Sequence, residues 1–268
     1  MDASRQALGA ARRIVSRVAD TSWEGVAGWY DDLLKGADTY QEKVILPNLL
    51  RLIPPTGGKR VIDIACGQGF FSRAYAAGGA EVLGVDLSPE LIKLARAHES
   101  RGLHFAVSSA SAIKAGAGAF DAALLILALQ NIKEMPETLA EAARILKPGG
   151  ALAIVLNHPA FRIPSASSWG WDEATNVQYR RMDRYGTAFS IKIDMAPGAK
   201  AGVKKAYTTS FHRPLQDYVK ALTKVGFSIA GLEEWISHRH SGPGPRAAAE
   251  DAARKEFPLF LAIVARKG

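Results

Sequence analysis

Residues 61–72 constrain the fold more than any other part of this sequence. Their sequence, VIDIACGQGFFS, is typical of a buried strand that ends on the acid Asp63, turns on small residues and enters a helix. A second acid, Asp86, ends the next apolar run, residues 81–85. Because ligands of parallel α/β sheets bind at the carboxyl ends of the strands, the two acids predict a cleft for a nucleoside-bearing cofactor.

The pattern around these acids predicts an α/β fold with a doubly wound, mostly parallel sheet, because short apolar strands alternate with amphipathic helices. Ser88-Pro89 is a strong helix start, and the KPGG sequence at residues 147–150 indicates a helix stop and a turn. The predicted strands are 60–64, 81–85, 103–107, 122–126, 151–156, 227–234 and 258–265. The predicted helices are 70–77, 89–97, 136–146, 214–225 and an alanine-rich helix through residue 253.

Two segments do not fit this alternation. Residues 1–58 are predicted to be mostly helical, and residues 157–213 follow the fifth strand as an insert within a domain that spans residues 59–268. The insert is rich in aromatic residues, which either form a small extra core or line a substrate pocket. They are Phe161, Trp169, Trp171, Tyr179, Tyr185, Phe189, Tyr207 and Phe211.

Composition narrows the class of protein. The chain has 268 residues, 48% of them hydrophobic, and its longest apolar run, residues 122–129, is far below the roughly 20 residues of a membrane span. The single cysteine, Cys66, allows no internal disulfide and favours the cytoplasm. The net charge of +8 is scattered in pairs rather than runs, which makes nucleic acid an unlikely partner. Arginines in the first twenty residues resemble a transit peptide, but acids among them favour a surface helix.

The residues of the first turn discriminate between cofactors. A dinucleotide site requires Gly-x-Gly-x-x-Gly, and residues 67–72 (GQGFFS) lack the third glycine. Asp63 would also repel a pyrophosphate. S-adenosylmethionine carries an amino group and a cationic sulfur, which suit an acid at that place. Asp86 accepts hydrogen bonds from ribose hydroxyls in either class of site, so it does not discriminate.

The sequence resembles the class I S-adenosylmethionine-dependent methyltransferases, and within them the small-molecule, methyltransferase type 11 branch. The resemblance rests on DIACGQG at residues 63–69, GVDLSP at 84–89, Phe120-Asp121 and RILKPGG at 144–150. It is weaker at FHRPLQDY, residues 211–218. The resemblance implies the strand order 3-2-1-4-5-7-6, with a helical N-terminal lid and an insert after strand 5.

The resemblance also implies site residues. Ser109 departs from the family, which often has an acid there for the adenine amino group. Two structural interpretations stay open: Asp63 caps a turn, and Ser109 caps a helix. The expected cofactor contacts are Asp63, Ala65, Gly67, Gly69, Asp86, Leu87, Ser109, Ala110 and Ile126, with Tyr30 from the lid.

The methyl acceptor requires positioning and, for a hydroxyl or carbon, a base. We expect His158, which follows the fifth strand, or His212 as that base, and no metal site. Arg180, Arg181 or Arg184 offers a charge for a substrate carboxylate or phosphate. The expected substrate-binding residues are Trp29, Phe161, Trp169, Tyr185 and Arg181.

The sequence therefore favours methyl transfer to a small, planar or aromatic metabolite, with the acceptor atom unresolved. The alternatives are an RNA methyltransferase that uses the basic surface, a nicotinamide oxidoreductase, and a cofactor-binding protein without catalysis. The oligomeric state is not indicated.

Overall fold

The structure is a computed structural model that describes residue 36, residues 38–194 and residues 207–268. Trp29 and Tyr30 lie outside the described residues, so the predicted lid contacts stay predictions. The division into a lid at 1–58 and a domain at 59–268 also stays a prediction. None of the helices in the described ranges combines the length and apolar character required to cross a bilayer.

The described chain alternates strands and helices through its first two thirds. A π-helical turn, Gln41–Ile45, leads into the first α-helix. The helices are α1 Leu46–Leu52, α2 Phe70–Ala77, α3 Pro89–Arg96, α4 Met135–Ile145, α5 Leu215–Lys224 and α6 Ala247–Glu256. The strands are β1 Arg60–Ile64, β2 Glu81–Asp86, β3 Leu103–Val107, β4 Phe120–Ile126, β5 Leu146–Asn157, β6 Ser167–Asp172, β7 Val177–Met182, β8 Phe189–Asp194, β9 Tyr207–His212, β10 Phe227–Trp235 and β11 Phe260–Lys267.

Seven of these strands form one sheet in the order β3-β2-β1-β4-β5-β11-β10. Strands β1 to β5 pair in parallel, and β11 runs antiparallel to both β5 and β10. The predicted α/β class and doubly wound sheet are confirmed. The predicted order 3-2-1-4-5-7-6 corresponds to the observed one when the strands of the insert are left out of the count.

Helices cover both faces of the central sheet, and a buried core lies on each side. One core contains Leu49 of α1, Tyr75 of α2 and Ile92 of α3 against one face. The other contains Leu139 of α4 and Leu222 of α5 against the opposite face. Central strands such as β4 are buried along nearly their whole length, as strands covered on both faces are expected to be.

The insert is built from strands that the sequence did not predict. Strands β6 and β7 pair antiparallel, and so do β8 and β9, and neither pair joins the central sheet. The turn predicted at residues 147–150 is instead a bulge inside β5, where the register with β4 shifts between Phe120 and Ala122. Gly149 has a φ of +73° at this bulge, which is a left-handed backbone that favours glycine.

Asp121 fixes the edge of the sheet opposite the carboxyl ends of the parallel strands. Its carboxylate accepts hydrogen bonds from the backbone N–H of Arg60 at 2.9 Å and from Lys147 Nζ at 2.7 Å. The Lys147 ammonium and the Arg60 amide lower the pKa of Asp121. Asp121 therefore joins the starts of β1, β4 and β5, which gives this motif residue a structural role.

Candidate functional site

The turn from β1 to α2 buries a carboxylate at the carboxyl end of the central strand. The Asp63 side chain is 1% exposed, and one of its oxygens accepts a hydrogen bond of 2.6 Å from the Ser72 hydroxyl on α2. Burial raises the pKa of Asp63 to about 7; the Ser72 hydrogen bond opposes this shift, and the nearby Asp86 carboxylate adds to it. Asp63 therefore sits at the boundary between its neutral and charged forms near pH 7.

The third glycine of a dinucleotide motif is replaced here by Ser72. Its hydroxyl is buried and donates to Asp63, so the departure from Gly-x-Gly-x-x-Gly has a direct structural consequence. A serine that holds an acid beneath the turn is unsuited to a pyrophosphate, which requires positive or neutral surroundings at the helix N-terminus.

The backbone between Asp63 and α2 is tightly folded. Ala65 and Gly67 have φ values of +58° and +59°, and Gly69 has +84° where it precedes α2. The backbone N–H of Cys66 donates to Val85 on β2, which ties the turn to the neighbouring strand. Left-handed backbone at a residue other than glycine stores strain and is often found at functional sites, which makes Ala65 a notable position.

Asp86 ends β2 beside this turn. Its two carboxylate oxygens accept backbone hydrogen bonds, one from Gly67 at 2.9 Å and one from Ser88 at 2.8 Å. Burial raises the pKa of Asp86, and these backbone hydrogen bonds oppose the shift. Each carboxylate oxygen has two lone pairs, so both retain capacity to accept a further hydrogen bond.

Both acids open into one cavity of about 360 Å³ at the carboxyl ends of β1, β2, β3 and β4. This volume lies in the range of small-molecule and cofactor pockets. Gly69 does not line the cavity, and a Cβ at residue 69 would lie 2.6 Å from the Phe105 ring. Eight of the ten residues predicted at the cofactor line it: Asp63, Ala65, Gly67, Asp86, Leu87, Ser109, Ala110 and Ile126.

Two other features of the lining bear on its chemistry. Burial raises the pKa of the Cys66 thiol well above its usual value, so the thiol remains protonated and is not an activated nucleophile. The Ser109 hydroxyl contacts the Ser111 hydroxyl at 2.9 Å and accepts from the Ser111 N–H at 3.2 Å. Ser109 therefore caps a turn between β3 and β4, where no helix is present, and the helix-cap interpretation is wrong.

The far side of the cavity is formed by the segment after β4 and by the insert. Leu127 has a φ of +53° directly after β4, a second strained position at this cavity. Asn131 Nδ2 donates to the Thr209 carbonyl at 3.2 Å, and the Arg213 guanidinium donates to the carbonyl of Ile132 at 2.8 Å. These hydrogen bonds hold β9 against the cavity and place Thr209 and Phe211 in its wall.

His212 lies on the wrong face of β9 for the predicted role of base. Side chains alternate along a strand, so Thr208, Ser210 and His212 share the buried face while Thr209 and Phe211 face the cavity. His212 Nε2 contacts the Tyr185 carbonyl at 2.8 Å. His212 therefore supports the insert and does not line the cavity.

His158 is likewise engaged elsewhere. Its Nδ1 accepts hydrogen bonds from the backbone N–H groups of Ala160 and Phe161, and its Nε2 lies 2.7 Å from Glu234 Oε1. The tautomer that satisfies these partners donates from Nε2 to Glu234, so neither nitrogen is free to act as a base. Burial lowers the pKa of His158, which is 4% exposed and does not line the cavity.

The four predicted substrate residues that lie in the described ranges do not line this cavity. Phe161 and Trp169 line a separate, smaller cavity. The Tyr185 hydroxyl accepts from the Leu215 N–H at the start of α5, and the exposed Arg181 pairs with Asp183 at 2.8 Å. Sequence reasoning missed Asn131 and Thr209, and it named Phe211 only as one of eight aromatic residues that could line a substrate pocket; their places become visible only when β9 is placed beside the end of β4.

In the described ranges no group of three His, Cys, Asp or Glu side chains is arranged to hold a metal ion. The site thus consists of two buried acids, a strained turn with close backbone approach, and a mainly apolar far wall with a few polar groups. Together with the doubly wound sheet, this arrangement defines a nucleoside-cofactor protein of the Rossmann-like class.

Comparisons with known proteins narrow that class. Residues 62–154 match the family model described as "Methyltransferase domain". A crystal structure of an S-adenosylmethionine-dependent methyltransferase from Mesorhizobium loti has a TM-score of 0.66 and 27% identity, and the match covers 82% of this chain and 96% of that one. Residues 62–154 therefore match a methyltransferase domain, and the chain is similar in sequence and fold to an S-adenosylmethionine-dependent methyltransferase.

Two relatives whose names refer to quinones match over shorter stretches. A demethylmenaquinone methyltransferase of Renibacterium salmoninarum is 31% identical over 143 residues, which are 52% of this chain and 59% of the relative. A ubiquinone biosynthesis O-methyltransferase of Xanthomonas oryzae is 38% identical over 99 residues, 35% of this chain and 41% of the relative. The chain thus spans about half the length of these relatives.

Proposed function

We propose that the protein transfers the methyl group of S-adenosylmethionine to a small, flat, largely apolar acceptor. The observation that carries the proposal is the pair of buried acids on adjacent strands, Asp63 and Asp86, which open into one cavity across a strained turn. An ammonium group and a pair of ribose hydroxyls are the ligand groups that complement such a pair of acceptors. S-adenosylmethionine carries both.

The cofactor half of the cavity suits each part of that molecule. We assign the amino group to Asp63 and the ribose hydroxyls to the free lone pairs of Asp86. The backbone of Ala65 and Gly67 approaches the methionyl part. Leu87 is placed to pack on the adenine, with Ser109, Ala110 and Ile126 around it, and these assignments rest on the lining of the cavity.

The acceptor half lies across from this wall. Phe70, Leu127, Ile132 and Phe211 supply apolar surface there, and Asn131 is a polar group among them. A mainly apolar pocket with a few fixed polar groups orients a flat molecule and excludes water. The two relatives that act on quinone-type molecules support an acceptor of this kind.

The chemistry that these residues must supply is limited. When bound, S-adenosylmethionine supplies an electrophilic methyl group for in-line displacement, so the protein mainly positions the acceptor and removes water. The titratable groups in the far wall are Lys133 and Glu134. We propose that the acceptor loses its proton to the Glu134 carboxylate or before it binds.

Methyl transfer is tested directly with S-adenosylmethionine labelled in the methyl group. The purified protein is incubated with a panel of small quinols and phenols and, separately, with tRNA and rRNA fragments. Label in a small-molecule product supports the proposal. Label in RNA alone, with binding that weakens steeply as salt increases, would establish the RNA methyltransferase instead.

Matched variants of the acceptor wall sharpen the test. Phe211→Ala removes a side chain that faces the cavity, whereas Phe189→Ala removes an aromatic ring on β8 that packs against His212. We expect Phe211→Ala to raise KM for the acceptor about tenfold and to leave the affinity for S-adenosylhomocysteine unchanged. Equal effects of the two variants on KM would place the acceptor elsewhere.

A further inference from the structure

The second cavity lies beside the end of β5, at the junction of the β6–β7 hairpin with the segment that leads into β11. It has a volume of about 230 Å³ and shares no lining residue with the cofactor cavity. Its walls are aromatic and apolar except for two arginines: Phe161, Arg162, Trp169, Arg180, Phe257, Pro258 and Leu259.

The two arginines bring positive charge to this cavity, and no carboxylate of the described residues pairs with them. In residues 38–194 and 207–268, no carboxylate lies within ion-pair distance of Arg162 or Arg180. Burial lowers the pKa of both guanidinium groups, and the charge of Arg180 also lowers that of Arg162. Two like charges that face one cavity favour an anion there.

Both guanidinium groups are held in place and keep free donors. Arg180 donates from Nε to the Phe161 carbonyl and from a terminal nitrogen to the Ser167 hydroxyl, each at 2.8 Å. Arg162 donates to Asn157 Oδ1, also at 2.8 Å. Each guanidinium carries five N–H donors, and most of them make no hydrogen bond to another described residue. Little side-chain entropy is lost when groups held in this way bind an anion.

The aromatic walls define the shape of the ligand. Trp169 and Phe257 meet edge to face with ring centroids 5.5 Å apart, and Phe161 packs on Phe257 at 5.6 Å in the same manner. The Arg180 guanidinium stacks 4.9 Å from the centroid of Trp169, which lies 40% exposed. These three rings form an apolar surface that a flat apolar ligand can pack against, with its charged group toward the arginines.

We propose that this cavity is a second small-molecule site, which binds a flat apolar carboxylate with its anionic group on Arg162 and Arg180 and its body against Trp169 and Phe257. A carboxylate matches the planar fork of a guanidinium in geometry and charge. The site is independent of the methyl-transfer proposal, because it uses neither the acids nor the turn of the cofactor cavity.

The first test uses the full chain and a pair of probes of equal shape. Sodium benzoate and neutral benzamide are titrated separately by ligand-observed NMR and calorimetry at constant ionic strength. We expect saturable benzoate binding that is at least about tenfold tighter than benzamide binding, because charge-assisted hydrogen bonds are lost with the charge. Absence of saturable benzoate binding, or equal affinity for benzamide, would overturn the proposal without any variant.

The second test uses matched arginine variants. Arg162→Gln and Arg180→Gln should each weaken benzoate binding at least about tenfold. Arg246→Gln should leave it unchanged, since Arg246 stacks on Trp171 of the same hairpin at 4.5 Å but does not line the cavity. The affinity for S-adenosylhomocysteine serves as a measure of intact folding and should be the same in all three.

Two outcomes of these titrations would contradict the site. Benzoate affinity that is unaffected in both Arg162→Gln and Arg180→Gln would place benzoate elsewhere. Inorganic phosphate that binds as tightly as benzoate would show that the rings contribute nothing, so the site would recognise a bare anion. Either result leaves the cofactor assignment untouched, because that assignment is measured by S-adenosylhomocysteine in the same samples.

Discussion

Asp63→Asn should make the protein more stable at neutral pH and less able to bind its cofactor. The Asp63 side chain is 1% exposed, and burial raises its pKa from 3.8 to about 7. At pH 8 the folded state therefore carries a buried charge that the amide of the variant would not carry. The hydrogen bond from Ser72 is retained, because an amide oxygen also accepts it.

The sign and size of the effect follow from linkage. Between about pH 4 and pH 7 the folded protein holds a proton on Asp63 that the unfolded chain releases, so the wild type loses stability as pH rises through this window. The difference between 3.8 and about 7 corresponds to an upper limit of about 4 kcal/mol at 1.36 kcal/mol per pH unit. We expect Asp63→Asn to gain about 1–4 kcal/mol at pH 8 and little at pH 4.

Urea unfolding of both proteins at several pH values between 4 and 8 measures this difference. The control is Asp121→Asn, because Lys147 and the Arg60 amide lower the pKa of Asp121. That variant should lose the same amount of stability at every pH from 5 to 8, because a carboxylate whose pKa is lowered is ionised in both the folded and the unfolded protein over this range. If the stability difference between Asp63→Asn and the wild type did not change with pH, the buried charge at Asp63 would be refuted.

The same charge should govern cofactor binding. If the Asp63 carboxylate binds the amino group, Asp63→Asn should weaken S-adenosylhomocysteine binding by about 10–100-fold at pH 8, because a charge-assisted hydrogen bond is lost. The wild type should bind more weakly as pH falls below about 7, where Asp63 becomes protonated. Calorimetry at pH 6 and pH 8 measures both effects, and equal affinity of variant and wild type would remove Asp63 from the cofactor contacts.

Three further substitutions test other parts of the account. Gly69→Ala should lower the free energy of unfolding by about 1–3 kcal/mol in urea, because the added Cβ would lie 2.6 Å from the Phe105 ring. The control is Gly118→Ala, which also has a positive φ but lies in open space, and it should lower the free energy of unfolding by about 1 kcal/mol. Asp86→Asn should weaken S-adenosylhomocysteine binding about 10–100-fold by calorimetry, and an unchanged affinity would exclude the ribose contact. His158→Gln should lower the free energy of unfolding by about 1–3 kcal/mol and leave kcat unchanged; a hundredfold loss of kcat would restore it as the base.

The sequence predicted the site best where the site is formed by residues that are close together in the chain. The strand, acid and turn at residues 60–69 have the predicted bounds, because a buried strand followed by small residues leaves few alternatives. Ser72, which replaces the third glycine of the dinucleotide motif, was a correct indication of a different site, because its hydroxyl donates a hydrogen bond to the Asp63 carboxylate. Asp86 was placed correctly because strand ends of a parallel sheet share one edge.

The histidines and the insert could not be predicted in the same way. Whether His212 or Phe211 faces the cavity depends on the register of β9, and a shift of one residue exchanges the two faces. His158 follows a predicted strand, but its partner Glu234 is distant in sequence and becomes apparent only in the folded chain. The aromatic residues of the insert are divided among hairpin surfaces, the second cavity and, for Phe211, the wall of the first cavity, a distribution set by tertiary pairing rather than composition.

Separate titrations of the purified protein with S-adenosylhomocysteine and with NAD test the central claim most directly. The account predicts saturable, one-to-one binding of S-adenosylhomocysteine, lost in Asp86→Ala, and no binding of NAD under the same conditions. Binding of NAD with no binding of S-adenosylhomocysteine would contradict it, because the two acids at the carboxyl ends of β1 and β2 would then serve a dinucleotide.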